Sequence, residues 1–324
     1  MILARLAGWL VLVAIGVALP HVVYPALAVD ILAWALFATA FDLLLGHTGL
    51  LSFGHAAYFG AGAYVSGILA ARAGTAFPLN VLAGGAAAGV LAVPLMALGI
   101  RRTGIYFAMI TLALAQMVYY IANAWRDMTG GENGVTGIPH GSLFGASLAS
   151  STSFYYAALP IVALGVVFCW RIVRSPFGRV LVAIRENEAR AESLGYDTAR
   201  YKLMAAILST ALAGVAGGIW AINHSFVALD AVHWSTSGTV VIMTLLGGMG
   251  TRLGPLVGAG LVLILRDAIS SWTDAWGVVT GAIFVGVILA FRHGIVGTLE
   301  RMLSARAAPA SSPTPPTVEG PAGS

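Results

Sequence analysis

Chemistry-bearing side chains are sparse in this sequence, and most of them fall in three stretches. The first, 46-GHTGLLSFGHAAYFGAGAYVSG-67, sets Ser52, His55 and Tyr58 among six glycines that include Gly54. Hydroxyl, imidazole and phenol groups in that setting could hydrogen-bond a polar solute close to the backbone; His55 could equally satisfy a neighbouring peptide group. The second, 247-GGMGTRLGPLVGAG-260, opens on Gly247 and Gly248 and contains Pro255. Glycines at four-residue spacing let membrane helices approach closely. They also permit broken helices where protein or a water-filled cavity satisfies the freed polar groups, and both readings stay open. Thr111 and Gln116 add a hydroxyl and an amide. Five helical residues separate them by about 140°, so only one of the two can face a narrow channel.

The third stretch, 174-RSPFGRVLVAIRENEARAESLGYDTARYK-202, is the largest block of charge in the chain. It reads as a short amphipathic helix stopped at Gly195, where a C-terminal cap would fall. Connections in compact domains are usually about 4–6 residues, so a loop this long and ordered is expected to dock onto something. Reaction chemistry is absent from the motifs: there is no HExxH, no GxSxG and no convergent carboxylate pair, so no catalytic residue is expected. Cys169, the single cysteine, lies in an apolar run, which leaves no disulfide framework and no thiol metal site.

The elements that must position these groups are set by composition. Hydrophobic residues make up 59% and charged residues 9% of the chain, at a mean hydropathy of +0.89; a soluble domain carries about 25% charge. Apolar runs recur near 8–28, 30–46, 50–71, 79–99, 104–125, 154–173, 203–223, 237–249, 254–270 and 276–292. Helices of that length cross roughly 30 Å of hydrocarbon. The expected fold is an all-α polytopic membrane protein of about ten transmembrane or re-entrant segments, in contact with lipid. The first segment lacks an A-x-A cleavage site and is expected to be retained. With both termini cytoplasmic, 14 of the 17 basic residues fall inside and Arg72, Arg126 and Arg266 outside, as the positive-inside rule requires. The basic residues lie in inter-helix loops, which speaks against nucleic acid. Residues 1–303 form the membrane domain, with 174–202 as its cytoplasmic loop; 304–324, rich in Pro, Ser and Ala, is expected to be disordered.

Five stretches carry a family resemblance: 48-TGLLSFGHAAYFGAGAY-64, 103-TGIYFAMITLALAQM-117, 129-TGGENGVTGIP-139, 178-GRVLVAIRENEARAESLG-195 and 244-TLLGGMGTRLGPLVGA-259. In order and spacing they resemble the branched-chain amino acid permeases of bacterial ABC importers, whose near relatives carry urea and short amides. Within them, 188-EARAESLG-195 is similar to the coupling loop that docks on an ATPase. The resemblance implies a second related permease, two cytoplasmic ATPase subunits, an external substrate-binding protein and a place in the bacterial inner membrane. It makes Arg185, Glu186, Asn187, Glu188, Ala189 and Gly195 the expected ATPase-coupling residues. No cofactor is expected on this chain: it has no G-x-x-x-x-G-K-[ST] and Lys202 is its sole lysine, so ATP and magnesium belong to the partners. Two positions depart from the family, Asp42 in place of an Asn and the proline-free 226-FVALDAVHW-234, and both bear on the substrate. Asp42 is expected to reach the interface or pair helices, with a functional role, the default for a carboxyl group in the bilayer, as the alternative. Asn223 and His224 are expected to meet water or the binding protein, and Arg266 and Asp267 to form an interfacial couple. A stand-alone secondary transporter or channel is the rival class; it would place more ionisable groups at the midplane than this chain offers.

Overall fold

The computed structural model describes residues 14, 16–143, 145–272, 275–290 and 294–307. At its centre is α1 (Pro25–Thr48), opened by proline at its first turn and closed by Gly49 at φ 74°, the left-handed geometry in which glycine ends helices. The helix is apolar on every side, which a single amphipathic face would not be, and 20 of its 24 residues are buried. Against it pack α5 (Ser151–Arg174) and α8 (Thr198–His224); α3 (Phe77–Gly99) packs on α8 instead, and α4 (Gly104–Ala124) lies at the periphery. These five are, among the described residues, the helices long and apolar enough to cross a membrane. Ile105, Tyr106, Met109, Tyr120 and Ile121 on α4 are exposed, an apolar surface suited to lipid or to another chain.

Two of the shorter helices bear on the site. α2 (His55–Ile68) and α9 (Trp234–Gly247) have 14 residues each, roughly 21 Å. Non-helical backbone precedes both: residues 49–54 before α2, and before α9 a stretch holding strand β4 (Phe226–Val227) and the turn Leu229–Ala231. Their first turns meet where the Ala56 amide donates to Ser237 Oγ at 2.8 Å. From there α2 runs towards the end where Gly67 faces Ile138 and Val227, and α9 towards the end where Gly248 faces Gly294. A seam of small residues lets α2 lie against α8 and α3: Gly62 faces Gly214, Gly217 faces Phe59, and Gly84 faces Gly62. Close backbone approach of this kind drives helix association in lipid.

The charged loop folds as two helices, α6 (Pro176–Glu186) and α7 (Glu188–Ser193), where one was expected. Asn187 is the reason: its side chain accepts the Arg190 amide at 2.9 Å and starts a new helix. Ser175 caps α6 and Asp197 caps α8 in the same way. This basic end also holds Arg101, Arg102 and Arg252. Arg72, Arg126 and Arg266 lie at the far end, with the strand pairs β1 (Val135–Thr136) to β4 and β2 (Ser142–Leu143) to β3 (Ala146–Ser147). The segment 127–141 is thus tied by β1 to the chain leaving α8. The bundle is completed by α10 (Gly254–Ser270), α11 (Trp276–Ala290) and α12 (Gly294–Ala307).

Several segment boundaries move. The expected break near residue 29 falls instead at Val23–Tyr24, because Pro25 begins α1. The run 50–71 is helical only from His55. Much of the first expected segment, and the tail from 308, lie outside the described residues.

Candidate functional site

Of the residues singled out in the sequence, Ser52, Gly54, His55 and Thr111 come together where α2 meets α4 and α8, while Gly247 and Gly248 lie at the C-terminal end of α9, against α10 and α12. His55, fully buried, is the first residue of α2. Ser209 Oγ donates to the Ala40 carbonyl, so it accepts from His55 Nε2 at 2.9 Å. The imidazole therefore carries its proton on Nε2 and joins α2, α8 and α1; Nδ1 is buried without a partner. Its bond is to a hydroxyl, not to the neighbouring backbone the sequence suggested. Ser52 Oγ accepts the Gly54 amide and Thr111 Oγ1 the Phe53 amide, each at 3.2 Å, so two side chains satisfy the irregular backbone ahead of α2. Tyr58 is 3% exposed, against Leu44, Met96 and Phe107. Gly247 lies against Gly254 and Gly258 of α10. Gly248 follows α9 at φ 121°, and Gln116 is half-buried on α4.

A cavity of about 650 Å³ opens at the far end, and none of those eight residues lines it. Its wall includes Trp34, Phe59, Trp220 and Phe226, and its polar groups include Asp30, Asp230, Asp267, Arg266 and His224, with the hydroxyls of Ser235, Thr236 and Thr239 near the start of α9. Phe59 is one helical turn from His55, so the packed layer adjoins the cavity along α2. Asp30 is held by α8: its Oδ1 accepts Asn223 Nδ2 at 2.9 Å and His224 Nε2 at 3.0 Å. Both Asn223 and His224 bond Asp30, which projects from α1 beside them, and His224 remains exposed besides. Asp267 Oδ1 accepts the Tyr24 hydroxyl at 2.8 Å. Desolvation, aided by the Asp267 bond and charge, pushes that phenol up to about 12, so Tyr24 keeps its proton and donates. Asp30 stands in the sequence as a carboxylate just inside an apolar run, a functional signal by default, yet is not among the candidates drawn from the sequence.

At the basic end the six coupling candidates divide. Arg185 Nη1 donates to the Gly46 carbonyl at the end of α1, and its side chain also rests against Gly49 and Gly250. Glu188 pairs with Lys202, which is 2% exposed, and accepts from Thr198 Oγ1 at 3.1 Å. Asn187 caps α7, while Glu186, Ala189 and Gly195 face outward. Gly195 has φ 88° and donates to Glu192 O at 2.9 Å. Asp42 lies within the bundle at 3% exposure, its Oδ1 accepting the Gly250 amide at 2.8 Å; of the two expectations, burial selects helix pairing over the interface. The described residues contain no group of three or more His, Cys, Asp or Glu able to hold a metal.

Long apolar helices around a buried one, broken helices meeting at depth and a polar cavity at one end define a multi-pass membrane protein built to pass solutes. The chain belongs to the family described as the permease component of the branched-chain amino acid transport system, which matches residues 23–288. It is 28% identical over 316 residues to the high-affinity branched-chain amino acid transport system permease protein LivM of Salmonella typhimurium, covering 88% of this chain and 73% of that protein. The LivM protein of Escherichia coli is 27% identical over 79% of this chain, and the chain spans 65% of it. A shorter similarity, 30% identity over 40% of each chain, links it to the autoinducer 2 import system permease protein LsrC of Klebsiella pneumoniae. No solved structure matches.

Proposed function

We propose that this chain is the permease subunit of an ATP-driven importer that carries branched-chain amino acids across the bacterial inner membrane. The far end faces outward and receives solute from a substrate-binding protein; the basic end faces the cytoplasm, as the 14 to 3 split of basic residues favours. A second related permease completes the pathway. The hydroxyl- and imidazole-bearing layer around Ser52, Gly54, His55, Tyr58 and Thr111 forms the closure beneath the cavity, and Gln116, Gly247 and Gly248 border the pathway beyond it. Two ATPase subunits, which bind the ATP and magnesium, dock on α6 and α7.

The observation that carries this reading is the two-sided build of α6–α7. Its inward groups grip the bundle, Arg185 on α1 and Glu188 on α8, while Leu194 and Tyr196 just beyond it are 72% and 42% exposed. An element anchored on its inner side, with a charged outer face and two exposed apolar side chains just past its end, suits transmission of a partner's movement. The test is copurification of an ATPase with the tagged chain, then uptake by reconstituted complex with its own binding protein, using labelled leucine, urea and a dianionic acid in parallel. Leucine uptake that depends on ATP is expected. Uptake of urea alone or of the dianion alone would overturn the substrate, and uptake without any ATPase would overturn the class.

A further inference from the structure

The cavity's lining is unevenly charged. Asp30, Asp230 and Asp267 face it against Arg266 and His224; counting the histidine as charged still leaves three acidic groups to two basic. Such a lining attracts a cation and repels a free carboxylate.

Within it, Asp30 is prepared for one kind of contact. Its side chain is 19% exposed, and Asn223 and His224 fix its orientation from one side. An ionised carboxylate has about four acceptor positions; Asn223 and His224 engage Oδ1 and only His224, at 3.1 Å, reaches Oδ2, so capacity remains on Oδ2. One helical turn along α1 stands Trp34, whose ring lies 5.7 Å from Phe59, itself 5.9 Å from Trp220. Side chains at i and i+4 stand about 5–6 Å apart on a helix face, a span that an amino acid's aliphatic side chain covers from its ammonium group.

We propose that Asp30 is the ammonium-recognising residue of a substrate subsite in this cavity, with the Trp34, Phe59 and Trp220 rings receiving the aliphatic side chain. The inference rests on the amino acid importer reading above and specifies how that substrate is held. Moving an ammonium group out of water is costly unless a charged acceptor replaces its hydration, and Asp30 is that acceptor. The subsite selects on the amine end of the ligand rather than on the carboxylate.

Saturation-transfer NMR on the assembled full-length complex, without its binding protein, reads this directly. The probes are leucine, 3-methylbutylamine, which lacks the carboxylate, and 4-methylpentanoate, which lacks the amine. Leucine and the amine bind the unaltered complex and the acid does not. Asp30→Asn weakens both binders by about tenfold or more, the loss of a charge-assisted contact, Asp30→Glu restores them in part, and Trp34→Ala weakens both without favouring either. Equal binding of the acid and the amine, no binding of any probe, or undiminished amine binding to Asp30→Asn would overturn the proposal. The first two need no variant to fold. Failure here with intact leucine uptake leaves the importer reading standing; absence of leucine uptake by the complete system is the failure of that reading itself.

Discussion

At Gly54 an added β-carbon would stand 2.6 Å from the Thr111 carbonyl oxygen, a backbone atom that cannot swing aside. Even alanine must therefore part α2 from α4, so packing alone makes this glycine intolerant of the smallest side chain. Gly54→Ala is expected to cost about 1–3 kcal/mol through overpacking, read as a lower melting temperature of the detergent-solubilised protein. Gly238→Ala, where nothing lies within 4 Å, is the control and should melt near the unaltered chain. Equal melting of the two variants would contradict the close packing of α2 on α4. The hydroxyl and imidazole groups around Gly54 were identifiable by type, but their partners were not. Ser209 and Ser237 stand 154 and 181 residues from the groups they bond, separations that carry no local pattern. Asp30 was missed for the opposite reason: it is one charge at the edge of an apolar run, and its meaning comes from α8.

The helices α6 and α7 show how charge is divided by depth. Lys202 is 2% exposed while its partner Glu188 is 33% exposed, so the two ends of the pair are unequal. Removing Glu188 strands a buried ammonium, a loss of about 3–5 kcal/mol; removing Lys202 leaves a carboxylate that water can reach, at a cost nearer 1 kcal/mol. Glu188→Ala should therefore loosen α7 more than Lys202→Met, read as faster trypsin cleavage after Arg190 in the folded protein. The reverse order would show that the pair does not anchor α7. Helix positions followed from apolar run length, and the caps Ser175, Asn187 and Asp197 stand in the sequence as N-cap residue types. What run length could not give was the break before His55. There Gly49, Ser52 and Gly54 supply backbone freedom and local bonds whose sum only Thr111, on another helix, completes.

Across the whole molecule the basic residues sort by end, and that sorting is a statement about which side each end occupies. Ser142, in the β2–β3 hairpin, is exposed at the far end, and Ala189 on α7 is exposed at the basic end. Cys169 is buried at 2% exposure, so the native chain offers almost no background to a thiol reagent. Ser142→Cys and Ala189→Cys therefore report the two ends separately. With a membrane-impermeant maleimide on intact cells, Ser142→Cys should label at once and Ala189→Cys only after the membrane is opened. Excess positive charge is retained on the cytoplasmic side, and the expected topology divides the basic residues of the sequence 14 to 3, so the labelling order is expected to be clear-cut. Labelling of Ala189→Cys in intact cells, with Ser142→Cys protected, would invert the topology. It would put α6 and α7 out of reach of any cytoplasmic ATPase and turn the Asp30 cavity towards the cell interior.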